Sequence, residues 1–362
     1  MTPAAGEPVI AKAPGFGPFG PGPLPFPFSS PRCLLTENGR TAIWAGLTAL
    51  ALPAGARVLV PAWHCGSEID AILAAGAVPV PYRLRQDLSA DLDHLAELLN
   101  VGAAAIYLIH YFGKPQPVAQ IAEMARGSGA VVIEDLALGL LSCDEQGVPL
   151  GQAGDMSVFS LVKTLAVPDG GALWLRDRVA QVGLGPPPLR RTFGALRSIW
   201  QNPRRGRARN RNAGQGSAEL DAWTGEGGFA ALGSRHRASA VTGWLIRHLD
   251  HDRIRSDRRR NWAALVAALP HGGVAPLIGD LPPGACPAFF PLWAEDPDRV
   301  MAALFAGNIE GVRFWRRFHP AVDLTPFPEV QRFKRHVLRL PIHSGIDQRA
   351  IDRIALACRM AT

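Results

Sequence analysis

Three short stretches of this chain combine residue types suited to chemistry. In "NGRT", Asn38 to Thr41, a glycine and a hydroxyl precede an amphipathic run. Backbone amides at a helix N-terminus, with Gly39 allowing close approach and Thr41 adding a donor, make an anion site suited to phosphate. The same residues can also serve as a plain helix cap through Asn38 or Thr41. "VVIEDLALG" ends an apolar run with Glu134 and Asp135. A buried acid there can pair with a cationic ring nitrogen, or it can simply end the strand and cap the next turn. "FSLVKTLAVPDGG" carries one lysine, Lys163, among apolar residues, then Asp169 and paired glycines. Desolvating that ammonium frees a nucleophilic amine for Schiff-base chemistry, whereas a lone lysine at a strand end commonly snorkels to water. Each stretch alone has a bland explanation. Cradle, acid and amine at successive strand ends of one sheet favour the functional one.

Two further stretches carry weaker signals. His64 and Cys65 in "PAWHCG" have the types for a metal ligand or a Cys-His nucleophile, but no third ligand stands near them, and no metal site is expected. An aromatic or imidazole there can instead stack on a planar ring. Arg204 to Arg211 form a basic run without interleaved aromatics or a reading module, so a solvated loop is expected rather than a nucleic-acid interface.

The elements that must position these residues follow from hydrophobic pattern. Between about Thr41 and Asp177, β-rich runs ("ARVLVPA", "AVPVPYRL", "AAIYLIHYFG", "AVVIEDLA", "MSVFSL", "GALWL") alternate with helix-length stretches such as "GSEIDAILAAG" and "PVAQIAEMARGSG". Near-continuous apolar strands separated by helices predict an α/β fold: a mostly parallel sheet sandwiched by helices, with ligands at the carboxyl ends of the strands. The expected organisation is a Pro/Gly-rich N-terminal arm over 1–32, which either wraps on the body or stays mobile, and a large domain over 33–245 with a basic loop near 187–228. A connecting helix and a smaller C-terminal α/β domain, with "HVLRLPIHS" as a strand and "DQRAIDRIALACRM" as a closing helix, occupy 246–362.

Bulk properties bound the setting. The chain has 362 residues and a net charge of +7, much of it arginine between Leu189 and Arg260, a sign that attracts phosphates. Five scattered cysteines without a CxxC pair argue against a disulfide framework or zinc ribbon and fit a reducing compartment, the cytoplasm by default. No apolar run reaches the roughly 18 to 20 residues that a bilayer crossing needs, and no membrane partner is expected.

In this order and at this separation, the three stretches resemble the DegT/DnrJ/StrS-type aminotransferases, pyridoxal-phosphate enzymes of the aspartate-aminotransferase fold (fold type I). The similarity runs from about Asn38 to the C-terminus and is strongest up to Leu175. Gly39-Arg40-Thr41-Ala42 resembles the family's phosphate cradle, Val60-Pro61-Ala62-Trp63 its aromatic strand end, and Ile109 to Gly113 its "VHxYG". Val132 to Asp135 is similar to its "VIED", Gly154-Asp155 through Ser160 to its "GD…FSF", and Lys163 with Asp169-Gly170-Gly171 to its Schiff-base lysine and following glycines.

The resemblance implies pyridoxal 5'-phosphate as cofactor. Lys163 would be its Schiff-base lysine and the proton-moving base, and Asp135 the partner of the ring nitrogen. Gly39, Arg40, Thr41, Ser160 and Arg235 would anchor the phosphate, with Trp63 or His64 stacking on the ring. It also implies an amino-acid donor such as glutamate or glutamine, a keto-sugar acceptor that is usually nucleotide-linked, and a homodimer with shared active sites. A lysine at position 163, not histidine, separates the chain from the family's sugar-dehydrating branch. Four features depart from the pattern: Leu138 replaces a Gln, Arg235 an Asn that in the family reaches across the dimer to the phosphate, Cys65 the stacking aromatic, and the turn from Ser160 to Lys163 is two residues shorter. The loss of Gln at 138 leaves open a cofactor-binding role without transfer, regulatory or structural, and the departures together leave open a transaminase acting on a non-sugar carbonyl.

Overall fold

The computed structural model describes residues 9–187, 189–201, 235–269 and 272–361. Arg204 to Arg211, and most of the basic loop expected near 187–228, lie outside the described residues.

The first sheet has seven strands: β1 (Leu34–Thr36), β2 (Arg57–Pro61), β3 (Val78–Tyr82), β4 (Ala105–Ile109), β5 (Val131–Asp135), β6 (Met156–Ser160) and β7 (Gly171–Leu175). Their order is β1-β7-β6-β5-β4-β2-β3. Only β7 runs against the rest, pairing antiparallel with both β6 and β1. Strands β4, β6 and β7 are buried at every position, as a sheet covered on both faces requires. Each fully buried Leu, Val or Ile in them is worth roughly 1.5 to 3 kcal/mol relative to exposure.

Helices α1 (Gly39–Leu50), α2 (Ser67–Ala74), α3 (Leu92–Val101) and α4 (Val118–Ser128) alternate with these strands. Their boundaries follow local chemistry: Asn38 and Asp91 cap α1 and α3 through side-chain oxygens, and Gly129 ends α4 in a left-handed conformation. The parallel connections carry the carboxyl ends of β4, β5 and β6 to one side of the sheet, toward the N-terminus of α1.

Beyond the sheet come α5 (Leu189–Gln201), α6 (Ala240–His248) and α7 (His251–Ala268). Residues 189–201 are therefore a helix, not the loop expected there. The spacing Leu189, Phe193, Leu196 has helical period, which the neighbouring prolines and arginines outweighed in the sequence. A second, antiparallel sheet follows, order β10-β11-β9-β8, built from β8 (Val274–Pro276), β9 (Phe290–Ala294), β10 (Val312–Arg313) and β11 (Val337–Leu340). With it come α8 (Pro297–Ala306), α9 (Pro328–His336) and the closing helix α10 (Gln348–Ala361).

From residue 9 onward the arm lies on the body. The Ile10 amide donates to Asn308 O and the Glu310 amide to Ile10 O, at 3.1 and 2.9 Å, and the Gly20 amide donates to His248 O. Phe26 then packs edge-on against Phe159 and Trp174. No helix among the described residues is long and apolar enough to cross a membrane.

Candidate active site

The carboxyl ends of β5 and β6, the turn Leu161–Lys163 and the N-terminus of α1 converge on one cavity of about 320 Å3. Gly39, Arg40, Asp135, Ser160 and Lys163 all line it, so the cradle, acid and amine separated in sequence meet in space. Gly39 holds the first helical position, where an α-helix offers no internal acceptor for the amide. A Cβ at Gly39 would stand 3.3 Å from Ser160 Cβ, so glycine is what lets the cradle close on β6. On the other side, a Cβ at Gly171 would collide with the Asn38 carbonyl at 2.3 Å, which explains the second glycine after Asp169.

Successive residues on a strand face opposite ways, and β5 uses this to separate its two acids. Asp135 faces the cavity. Its Oδ2 accepts from the Tyr107 hydroxyl at 2.6 Å and its Oδ1 from the Ala137 amide at 2.6 Å. Burial raises the Asp135 carboxyl above its ordinary value, against the opposing charge of Lys163 and the Tyr107 hydrogen bond. Burial, and then the Asp135 charge, lifts the Tyr107 phenol well above its ordinary value, so it remains a donor. Glu134 faces the other side, 2.9 Å from His110 Nε2, and takes the Gly151 and Gly154 amides. Burial opposes its ionisation, but His110 and these amides prevail and hold it below the ordinary carboxylate value.

Among the cavity residues that sequence did not single out, Glu68 and Trp315 bear most on the chemistry. Glu68, in the first turn of α2, is 4% exposed; its Oε1 accepts from the Cys65 amide at 2.8 Å. Burial and the Asp135 charge raise its carboxyl, with Lys163 opposing. An acid at a helix start reads as ordinary dipole compensation, so only the sheet topology reveals it. Trp315 arrives from the second sheet's loops with a positive φ of 50°, a placement no local pattern announces.

Three expected cofactor contacts, Thr41, Trp63 and His64, are corrected. Thr41 is fully buried and gives both its amide and its hydroxyl to Asn38 Oδ1, at 3.0 and 3.3 Å, so it completes the helix cap instead of facing the cavity. Trp63 is fully buried in an aromatic cluster, stacked 5.3 Å from Tyr111 and edge-on to Phe314 and Trp315, and does not line the cavity. His64 is also interior, with Nδ1 3.1 Å from Pro61 O; burial and the Lys334 charge push it down to about 3. Cys65 lines the cavity in their place. Arg235 sits with its guanidinium 4.4 Å over the Trp44 ring and is not among the cavity residues of this chain.

The remaining set fits pyridoxal phosphate in kind. A glycine cradle at a helix N-terminus with Arg40 and Ser160 beside it suits the phosphate. A buried carboxylate on fixed donors suits a cationic ring nitrogen, and a half-buried lysine supplies the amine. Leu138 also lines the cavity and presents only carbon where the resembling family has an amide.

Residues 29–181 match the model of the DegT/DnrJ/EryC1/StrS aminotransferase family. The chain is 31% identical over 144 residues to dTDP-4-dehydro-2,3,6-trideoxy-D-glucose 4-aminotransferase of Saccharopolyspora spinosa, covering 39% of this chain and 37% of that protein. It is 29% identical over 145 residues to GDP-perosamine synthase of Escherichia coli O157:H7, covering 39% and 40%. The matched stretch thus spans about two fifths of the length of these curated relatives. In fold the likeness extends over the whole chain. DesV of S. venezuelae, in complex with a ketimine intermediate, superposes with a TM-score of 0.67 at 18% identity, covering 98% of this chain and 91% of that one. DesI in the presence of its TDP-sugar product gives 0.65 at 21% identity, covering 99% and 94%. These matches establish a fold-type-I α/β architecture for the chain.

Proposed function

We propose that this chain is a pyridoxal-phosphate-dependent aminotransferase that moves an amino group from a donor of the glutamate or glutamine type to a keto sugar, nucleotide-linked as the names of several relatives indicate. The observation that carries the reading is the convergence of Gly39, Arg40, Asp135, Ser160 and Lys163 on one cavity.

The cofactor, when bound, supplies a carbonyl that captures amines and a ring that accepts electrons. Lys163 Nζ would be the amine that holds the cofactor and the base that would move a proton at the substrate Cα. Asp135, fixed by Tyr107 and Ala137, holds the ring nitrogen protonated. The Gly39 amide, the Arg40 guanidinium and the Ser160 hydroxyl bind the phosphate. In a homodimer with shared sites, Arg235 of the second copy completes that cradle. Trp315 and Leu138 exclude water on the apolar side of the cavity. The reading takes residues up to 245 as the large cofactor-binding domain and 246–362 as the small one, in a cytoplasmic enzyme.

The test is a visible absorbance spectrum of the purified protein with pyridoxal phosphate, then borohydride and mass mapping, wild type against Lys163→Ala. Wild type develops a band that borohydride fixes as a label on Lys163, and the variant does not; a colourless wild type defeats the reading. The apolar Leu138 favours a second reading, a cofactor-binding protein without transfer. Adding an amino donor separates the two, since only a transferase converts the bound cofactor to its pyridoxamine form.

A further inference from the structure

Arg258, on α7, is 1% exposed, and among the described residues no carboxylate faces its guanidinium. All its hydrogen bonds go to backbone carbonyls. Nη1 donates to Pro287 O at 3.1 Å and Ala288 O at 2.7 Å; Nη2 donates to Thr164 O at 2.8 Å and Lys163 O at 3.4 Å. A buried cation without a counter-ion is costly, and burial lowers its pKa accordingly. An apolar residue of similar volume avoids that cost but leaves four carbonyls without a donor, so the guanidinium is kept for what it joins.

What the guanidinium joins is informative. One fork holds the turn that delivers Lys163; the other holds the segment entering β9, in the second sheet. The turn is otherwise pinned at its ends. The Leu161 amide donates to Gly170 O at 3.0 Å, and the Thr164 and Leu165 amides donate back to Leu161 O. Between those pins Val162 is exposed, and the carbonyls of Lys163 and Thr164 leave the turn toward α7.

We propose that Arg258 is the positioning residue for Lys163: by holding the Lys163 and Thr164 carbonyls it fixes the direction in which the lysine side chain leaves the turn toward the cavity. The same side chain ties that direction to the placement of residues 287 and 288. The inference rests on the function proposed above, with Lys163 as the amine that bonds the cofactor.

The experiment uses the full chain as wild type, Arg258→Met and Arg258→Lys. Pyridoxamine phosphate, which forms no bond to lysine, reports the cavity through quenching of Trp315. Borohydride-trapped labelling by pyridoxal phosphate, mapped by mass, reports Lys163. Arg258→Met keeps pyridoxamine phosphate affinity within about threefold while the labelling rate at Lys163 falls about 10- to 100-fold, the scale set by small misplacements of a reacting group. Arg258→Lys recovers part of the rate, since an ammonium can still reach two of the four carbonyls. Equal labelling rates in all three proteins overturn the proposal, as does a parallel loss of both readouts. If Arg258→Met does not fold, the same comparison on Arg258→Lys decides. A wild type that binds pyridoxamine phosphate but takes no label at Lys163 defeats the proposed function instead.

Discussion

The Tyr107 hydroxyl donates to Asp135 Oδ2 at 2.6 Å, with both groups buried beneath the cavity. This bond lowers the Asp135 carboxyl against the burial that raises it. Tyr107→Phe removes the donor, so the carboxyl rises further and ionises only at higher pH. Since a protonated ring nitrogen needs the ionised acid, cofactor affinity falls about 10-fold near neutral pH, the scale of a hydrogen bond to a charged group. Its pH midpoint moves upward. Fluorescence titration with pyridoxal phosphate across pH 5 to 9 measures both; an unmoved midpoint contradicts the assignment of Asp135.

Asp135 and Glu68 place two raised carboxyls in one cavity with Lys163. A raised folded-state pKa means the folded chain binds the proton more tightly than the unfolded one. Stability from these groups is therefore present at low pH and lost as pH rises through the raised values. Glu68→Gln removes one such group, so the cofactor-free variant melts above wild type at pH 8, and the gap narrows toward pH 4. Thermal melts across that range are the check, and a constant gap rules out the ionisation argument.

Lys334 works in the opposite direction. It is fully buried, and Nζ donates to His64 O, Trp315 O and Arg317 O at 2.8, 3.1 and 2.8 Å, joining the loop after β2 to the one bearing Trp315. Burial pushes it down to about 8 from its ordinary 10.5. Between those values the unfolded chain keeps a proton the folded chain has lost, so stability from this group rises with pH across the window. A neutral amine has only two protons for three carbonyls, so Trp315 emission changes with a midpoint near 8. Lys334→Met abolishes that titration and costs about 3 kcal/mol in urea unfolding, because three acceptors lose their donor.

The strands and the three chemical stretches were legible in sequence because each is locally coded. "VVIED" and "MSVFS" carry adjacent apolar residues that only a doubly covered strand buries, and "NGRT" carries its own cap. Trp63 and His64 misled because an aromatic and an imidazole at a strand end suit a ring-stacking site and a core equally. Their burial is decided by Tyr111, Phe314 and Lys334, distant in the chain. Glu68, Trp315 and Arg258 were illegible for the same reason. Glu68 reads as a helix-start acid, Trp315 as a loop aromatic and Arg258 as one of several arginines on a charged helix, and only the fold turns each toward the site.

Leu138 offers the sharpest test of how the cofactor ring lies. It is fully buried and lines the cavity at the position where the resembling family carries a glutamine near the ring hydroxyl. Leu138→Gln puts an amide there. Without cofactor the amide is buried with no designed acceptor, which costs about 1 to 3 kcal/mol and lowers the melting temperature below wild type. With cofactor the ring hydroxyl supplies the missing contact, so the variant gains more from pyridoxal phosphate than wild type does. Melts of both proteins, with and without saturating cofactor, therefore yield a larger ligand-induced shift in Leu138→Gln. An equal or smaller shift means that the ring hydroxyl points away from residue 138. The shortened turn before Lys163 would then have rotated the cofactor relative to the family pattern.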